Sequence, residues 1–330
     1  MTYSYEKKKI LVTGAGGFIG GWLTKDLLKM RPDSIRAVDI KPVESWYQAS
    51  DQVENLSLDL RDSNACKIAL RDVDFVFNLA ADMGGMGFIE THKAECMLSV
   101  LINSNLLHYG VEKGISRFFF SSSACVYNQA LQKNSGHTGL REQDAYPADP
   151  EDGYGWEKLF SERMCRHFSE DFGLVTRVAR FHNVYGPFGT FAGGREKAPA
   201  AICRKVANAK MENSEEIEIW GDGSQIRSYM YISDCLEGIH RIMNSEYSNP
   251  VNLGSSQSVT VNELVDIVSR VAGITLKKKY NLNAPKGVPG RNSDNTLIKS
   301  IYGWEPQVSL EEGLKQTYSW IYNQVLASNI

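Results

Sequence analysis

Apolar positions along the chain fall into short runs separated by stretches with helical spacing, and this rhythm begins at the N-terminus. Lys9–Thr13 is a β-branched apolar run, 14–20 a glycine-rich turn, and Gly21–Met30 a segment with Trp22, Leu23, Leu27 and Leu28 on one apolar side. The pattern predicts a strand, a tight turn and an amphipathic helix in immediate succession. Further strands are predicted over Ser34–Asp39, Asn55–Asp59, Val73–Leu79, Phe118–Ser121 and Val175–Arg180, with helix-compatible segments between most of them. Alternation of this kind gives an α/β fold, a doubly wound parallel sheet of Rossmann type with helices on both faces.

Beyond Arg180 the pattern changes to a glycine- and proline-rich segment, Tyr185–Pro199, then a helix through Lys205 and short mixed elements. Residues 1–180 are therefore expected to form the sheet domain, and 181–330 mainly a smaller C-terminal lobe. Val251–Leu253 and Val259–Val271 again read as a strand and a helix, so later segments are expected to return to the first domain and interleave the two. A chain of 330 residues accommodates this, since single cores stop growing near roughly 250–300 residues.

Charge narrows the partners. Charged residues are 23% of the chain and the net charge is -3, so no basic excess points to nucleic acid. No stretch approaches the roughly 20 apolar residues of a membrane span, and the N-terminus lacks the apolar core of a secretory signal. The six cysteines are scattered without a CxxC pair, which predicts reduced thiols, no metal site and a cytoplasmic protein.

Three groups of residues carry chemistry. Gly14, Gly17 and Gly20 form G-x-x-G-x-x-G between strand and helix, where a side chain would hold a pyrophosphate away from the helix N-terminus. Asp39 ends the next strand, where a carboxylate can accept from ribose hydroxyls and repel a 2′-phosphate; this favours NAD over NADP, although Lys41 lies close by. Asp59, after the third predicted strand, suits an adenine contact. Tyr154 and Lys158 form Y-x-x-x-K, and i,i+4 spacing puts both on one helix face, where an ammonium lowers the phenol pKa. Asn183, Arg227 and Arg291 are candidates for a substrate diphosphate, because guanidinium groups bind phosphate bidentately, and Gly84 and Gly85 would let backbone approach a sugar. Trp220 reads as a core or rim aromatic and His182 as a packed histidine outside the catalytic set.

The glycine turn, Asn78–Ala81, the serine run Ser121–Ser123, Y-x-x-x-K and Arg180–Pro187 together resemble the extended short-chain dehydrogenase/reductase family over nearly the whole chain. Ala81–Phe88, Ser123–Tyr127, Arg180–Thr190, Gly193–Pro199, Gly221–Ser228 and Arg291–Asn295 are similar to the branch that epimerises GDP-mannose at C3 and C5. The resemblance implies bound NAD, with Phe18, Ile19, Leu60 and Ala80 joining the cofactor contacts. It implies Ser123, Tyr154 and Lys158 as the group that oxidises the sugar at C4, with Tyr154 and Lys158 also on the cofactor and Ser123 and Lys197 on the substrate. It further implies Cys125 and Lys197 as an acid/base pair, with Cys125 as the base, and a homodimer built on two long helices, 90–113 and 154–172. The residues alone leave the order of acid and base open. A nucleotide-sugar 4-epimerase or reductase, and a catalytically silent sugar-nucleotide sensor, stand as the alternatives.

Overall fold

The computed structural model describes residues 5–133, 139–284 and 288–328. The strands, in chain order, are β1 (Lys9–Thr13), β2 (Ser34–Asp39), β3 (Glu54–Ser57), β4 (Phe75–Asn78), β5 (Arg117–Ser123), β6 (Val175–Phe181), β7 (Asn183–Tyr185), β8 (Glu216–Trp220), β9 (Ile226–Tyr231), β10 (Val251–Leu253), β11 (Ser258–Thr260), β12 (Lys277–Asn281) and β13 (Gly290–Arg291). Among the described residues, seven make one sheet in the order β10-β6-β5-β4-β1-β2-β3, and every pairing in it is parallel. The order reverses between β1 and β4, so a crevice opens at their C-terminal ends.

Period-two alternation sorts the strand residues onto two faces. Ile10, Val12, Phe77, Phe119 and Ala179 belong to one cluster, and Leu11, Val76, Phe118, Phe120 and Val178 to the other. Each fully buried Phe or Leu contributes about 1.5–3 kcal/mol, and burial on both faces explains why β4 is apolar in continuous sequence rather than alternating. β10 lies beside β6 at the edge of this sheet, although β7, β8 and β9 precede it in the chain. β9 meanwhile pairs with β7, β11 and β13 in a smaller sheet, and β12 pairs with β8.

Several boundaries differ from the sequence pattern in ways that matter. β5 runs to Ser123 rather than Ser121, which carries the serine run to the crevice; β3 stops at Ser57, leaving Asp59 in the following turn. The segment 90–113, expected as one helix, consists of Met86–Thr91, Lys93–Met97 and Ser99–Lys113. Thr91 Oγ1 bonds back to Gly87 O at 2.7 Å, and the backbone leaves helical geometry at His92. The Tyr154–Phe172 helix is present over its expected length, between Gly153 and Gly173. No helix among the described residues is long and apolar enough to cross a membrane.

Candidate active site

The crevice is built from the glycine turn outward. Gly14 has φ +70, and a Cβ there would stand 2.8 Å from Leu79 O; at Gly20 it would meet Gly14 O at 2.2 Å. These collisions bring the turn against the end of β4. No side chain caps the Phe18–Lys29 helix, so the backbone amides of Phe18, Ile19 and Gly20 open toward the crevice as an anion site. Thr13 Oγ1 donates to Asn78 Oδ1 at 2.8 Å and accepts from the amide of Ala80 at 3.2 Å, which fixes Ala80 beside the turn.

Asp39 is nearly buried at the end of β2, with Oδ1 accepting from Lys41 N at 3.0 Å, and Lys41 Nζ reaches back to Gly16 O at 3.3 Å. Asp59 is half-buried and held in a two-point ion pair by Arg61, whose guanidinium keeps the carboxyl below its usual range. Leu60 is buried, its carbonyl accepting from Cys66 Sγ at 3.0 Å. A turn with no room for a Cβ at Gly14 or Gly20, an uncapped helix end and a carboxylate at the next strand end together fit a dinucleotide.

Tyr154 opens its helix one turn before Lys158. Ser123 shares a hydrogen bond with Tyr154, and its Oγ also accepts from Cys125 N at 3.2 Å. Lys158 is buried with Nζ 5.5 Å from the Tyr154 ring centre and 3.7 Å from Glu157 Oε2. The expected lowering of the phenol pKa is not met in the protein alone. Burial, and then the neighbouring Cys125 and Glu157, push Tyr154 well above its ordinary value, while the Lys158 ammonium sits against Glu157 and the Phe120 ring.

A cavity of about 300 Å3 adjoins this group, lined by Ser123, Cys125, Tyr154, Asn183, Lys197, Arg227, Arg291, Gly84 and Gly85. Cys125 stands in the single turn Ala124–Val126 after β5, its thiol pushed up to about 12 by burial and by Glu151. Lys197 is the N-cap of the Ala198–Glu212 helix, partly exposed toward the cavity, and its ammonium is pushed down first by burial and then by Arg291. The positive end of that helix acts in the same direction. The loop carrying Lys197 is held on both sides: Arg195 pairs with Asp82 at 2.7 Å and covers the Phe88 ring, and Glu196 pairs with Arg204 at 2.9 Å.

Gly84 and Gly85 serve packing as much as access. A Cβ on Gly85 would lie 2.7 Å from Glu196 O, so the glycine lets the two loops touch and sets where Lys197 stands. Asn183 Nδ2 donates to Ser228 O at 3.2 Å, and Arg227 donates to Ile226 O at 2.8 Å and Val288 O at 2.6 Å. Arg291 is engaged by protein on all sides: Nε donates to Gln132 Oε1 at 2.6 Å, Nη2 to Glu151 Oε1, and Nη1 to Cys125 Sγ at 3.5 Å.

Glu151, Gln132, Gln225 and Tyr229 escape the sequence reading. Glu151 lies in the acidic, proline-punctuated run 147–152, which reads as a solvated turn, and only the fold buries it against β13. His182 is buried beside the cavity, its imidazole driven down to about 3 by loss of solvent, which keeps it neutral; Trp220 is half exposed at the cavity wall. Among the described residues no cluster could hold a metal ion.

A glycine-cradled dinucleotide site leading into a Ser/Tyr/Lys group and an adjoining cavity defines a nicotinamide-dependent enzyme of the short-chain dehydrogenase/reductase class. The chain belongs to the NAD dependent epimerase/dehydratase family, whose model matches residues 10–254. It is 45% identical over 321 residues to GDP-mannose 3,5-epimerase 1 of Oryza sativa subsp. indica, covering 97% of this chain and 83% of that one. It is 43% identical to GDP-mannose 3,5-epimerase of Arabidopsis thaliana, with coverage of 97% and 84%. Among solved structures it is similar to UDP-glucose 4-epimerase with UDP-glucose from Thermotoga maritima, at a TM-score of 0.84, 27% identity and coverage of 96% and 99%.

Proposed function

We propose that the protein inverts GDP-D-mannose at C3 and C5 to give GDP-L-galactose, and GDP-L-gulose where C5 alone inverts, through a transient C4 ketone. The observation that carries this reading is the presence of a thiol and an amine, Cys125 and Lys197, in the same cavity as Ser123 and Tyr154. A hydrogen on a sugar carbon becomes removable only when the next carbon is a ketone, because the charge then spreads to oxygen; inversion needs one group to take a proton and another to return one.

Gly14, Gly17 and Gly20, the amides of Phe18 and Ile19, Ala80 and Asp39 would hold NAD, with Asp59 and Leu60 at its adenine end and Lys158 toward the nicotinamide ribose. When bound, NAD supplies a hydride acceptor, then a hydride donor, at C4. Ser123 orients the C4 hydroxyl, Tyr154 takes and returns its proton, and Cys125 and Lys197 exchange protons at C3 and C5. Asn183, Arg227 and the glycine loop at Gly84 and Gly85 flank the sugar nucleotide. Arg291 reaches the substrate only over a surface already committed to Glu151 and Cys125.

Purified protein incubated with GDP-mannose should yield the C3- and C5-inverted products by NMR without consuming external NAD(P)H, and Cys125→Ala should yield none. Product inverted at C4 alone, or steady consumption of reduced nicotinamide, would instead mark a 4-epimerase or a reductase; no turnover would mark a binding module.

The same reading includes a homodimer. Leu98 and Leu101 from Ser99–Lys113 and its cap, and Trp156 and Phe160 from Tyr154–Phe172, are exposed apolar residues on two helices that pack together. Six buried cysteines, none of them paired, support a reducing, cytoplasmic setting.

A further inference from the structure

The Tyr154–Phe172 helix buries a stripe of polar side chains, Tyr154, Glu157, Lys158 and Ser161, at i, i+3, i+4 and i+7. Glu157 is the member that the sugar chemistry above does not use. A carboxylate taken out of water needs donors or an opposite charge to offset its lost hydration. Ser161 Oγ donates to Glu157 Oε1 at 3.0 Å, while Oε2 accepts from no donor among the described residues. What Oε2 meets is charge. Lys158 Nζ stands 3.7 Å away, too far for a hydrogen bond, and both side chains are almost wholly buried. The other neighbours of Nζ are aromatic rings, Phe120 at 4.7 Å and Tyr154 at 5.5 Å to the ring centres.

We propose that Glu157 is a positioning residue that balances the buried Lys158 ammonium and so shifts the bound cofactor toward NAD+, the form in which each catalytic cycle must end. This rests on the epimerase reading, in which Lys158 lies toward the nicotinamide ribose and the hydride is returned to the sugar. The oxidised nicotinamide ring carries a positive charge that the reduced ring lacks. A lone ammonium beside it, in surroundings poor in water, weighs against the oxidised ring and favours keeping the hydride. A carboxylate paired with that ammonium removes the bias while leaving Lys158 able to donate hydrogen bonds.

The other groups packed on this stripe leave the sign unchanged. Ser123 and the Phe120 ring, from β5, are uncharged, and Cys125, in the turn after it, holds its proton. Cys96, from Lys93–Met97, is a second thiol raised by burial. Cys165 and Asn103, where the Ser99–Lys113 helix packs on this one, are neutral. Glu162 is already balanced by Arg180 of β6, which donates from Nε at 2.9 Å and from Nη2 at 2.7 Å, and it also accepts from Ser122 Oγ. Burial raises the Glu157 carboxyl above its ordinary 4.5, and Lys158 and then Ser161 pull it back.

The same carboxylate reaches the phenol. Tyr154 is raised by burial first and then by Cys125 and Glu157, so removing the Glu157 charge lowers it. A lower phenol is ionised at lower pH, and the acid limb of C4 oxidation moves down with it.

Competition between the two cofactor forms tests the proposal on the whole enzyme. Wild type and variants are equilibrated with excess mixtures of NAD+ and NADH in known proportion, and bound NADH is read by its fluorescence. The ratio of the two affinities cancels any loss that strikes both forms alike, including loss of folded protein. Glu157→Gln keeps the shape and drops the charge, and it should move the ratio toward NADH by about tenfold, the lower end of the 1–3 log units that one neighbouring charge is worth. Glu157→Gln combined with Lys158→Met is balanced again, and its ratio should return close to wild type even though both affinities fall. A ratio unchanged in Glu157→Gln, or a shift that persists undiminished in the double variant, would overturn the proposal.

Two further readouts follow the same charge. With GDP-mannose present, Glu157→Gln should hold the absorbance of bound reduced nicotinamide that wild type returns to the sugar, and its pH profile for cofactor reduction should have an acid limb about one pH unit lower. An acid limb left in place would count against Glu157 acting on Tyr154. Wild type that binds neither cofactor form would overturn the dinucleotide reading, and wild type that binds both but inverts no GDP-mannose would overturn the epimerase reading; the affinity ratio separates either result from failure of the Glu157 assignment itself.

Discussion

At the residue scale, the two proton-handling groups have opposite needs. Burial pushes the Lys197 ammonium below its ordinary 10.5, so it gives up its proton more readily than a free lysine. Burial and Glu151 push the Cys125 thiol up to about 12, so in the protein alone it holds its proton at neutral pH. Lys197→Met should abolish inversion at C3 and C5, read by NMR of the products, because only one of the two proton-exchanging groups then remains. Tyr154→Phe should stop every step, including reduction of bound nicotinamide seen by absorbance, because the C4 hydroxyl then keeps its proton.

His182 gives a stability prediction of definite sign. Its folded value, about 3, lies below the reference 6.5, so the neutral ring stabilises the fold fully above 6.5 and progressively less as pH falls toward 3. The cost near pH 5 is about 2 kcal/mol, from 1.36 kcal/mol per pH unit. Urea midpoints measured from pH 7 to 5 should fall more steeply for wild type than for His182→Asn.

At the scale of elements, the loops place the chemistry more than the strands do. Gly85→Ala forces a Cβ to within 2.7 Å of Glu196 O, a backbone atom that cannot swing away, and so moves the segment ending in Lys197. Misplacement of about 1 Å can cost ~100-fold in rate. Gly85→Ala should therefore lose kcat while retaining NAD affinity, measured by titration. The glycine turn, the end of β2 at Asp39 and the whole Tyr154–Phe172 helix were legible in the sequence, because their signals are local: a turn composition, a strand length, a capped periodicity. The break at His92 was not, since no glycine or proline marks it and the Thr91 hydroxyl competes with the helix for Gly87 O. Nor was the Glu151–Arg291–Gln132 arrangement, whose partners stand 140 and 159 residues from Arg291. Arg291 had the right chemistry for a diphosphate, but which anion it meets is decided by tertiary packing.

At the scale of the whole molecule, the exposed apolar residues of the two helices beside the site need a cover. Trp156 is 44% and Phe160 54% exposed, on a helix whose other face carries Tyr154 and Lys158. In the proposed homodimer, Trp156→Glu with Phe160→Glu should give a monomer in sedimentation equilibrium, and because the same helix bears the reactive phenol, activity should fall with it.

The central claim is that a sugar oxidised for a moment at C4 is reprotonated at C3 and C5 between an amine and a thiol. Its most direct test is the wild-type enzyme with GDP-mannose in D2O, followed by NMR. Deuterium at both C3 and C5 of the inverted products, with protium retained at C4 and no net reduced nicotinamide, is the predicted result. Inversion with C3 and C5 still carrying protium, or inversion at C4 alone, would contradict it.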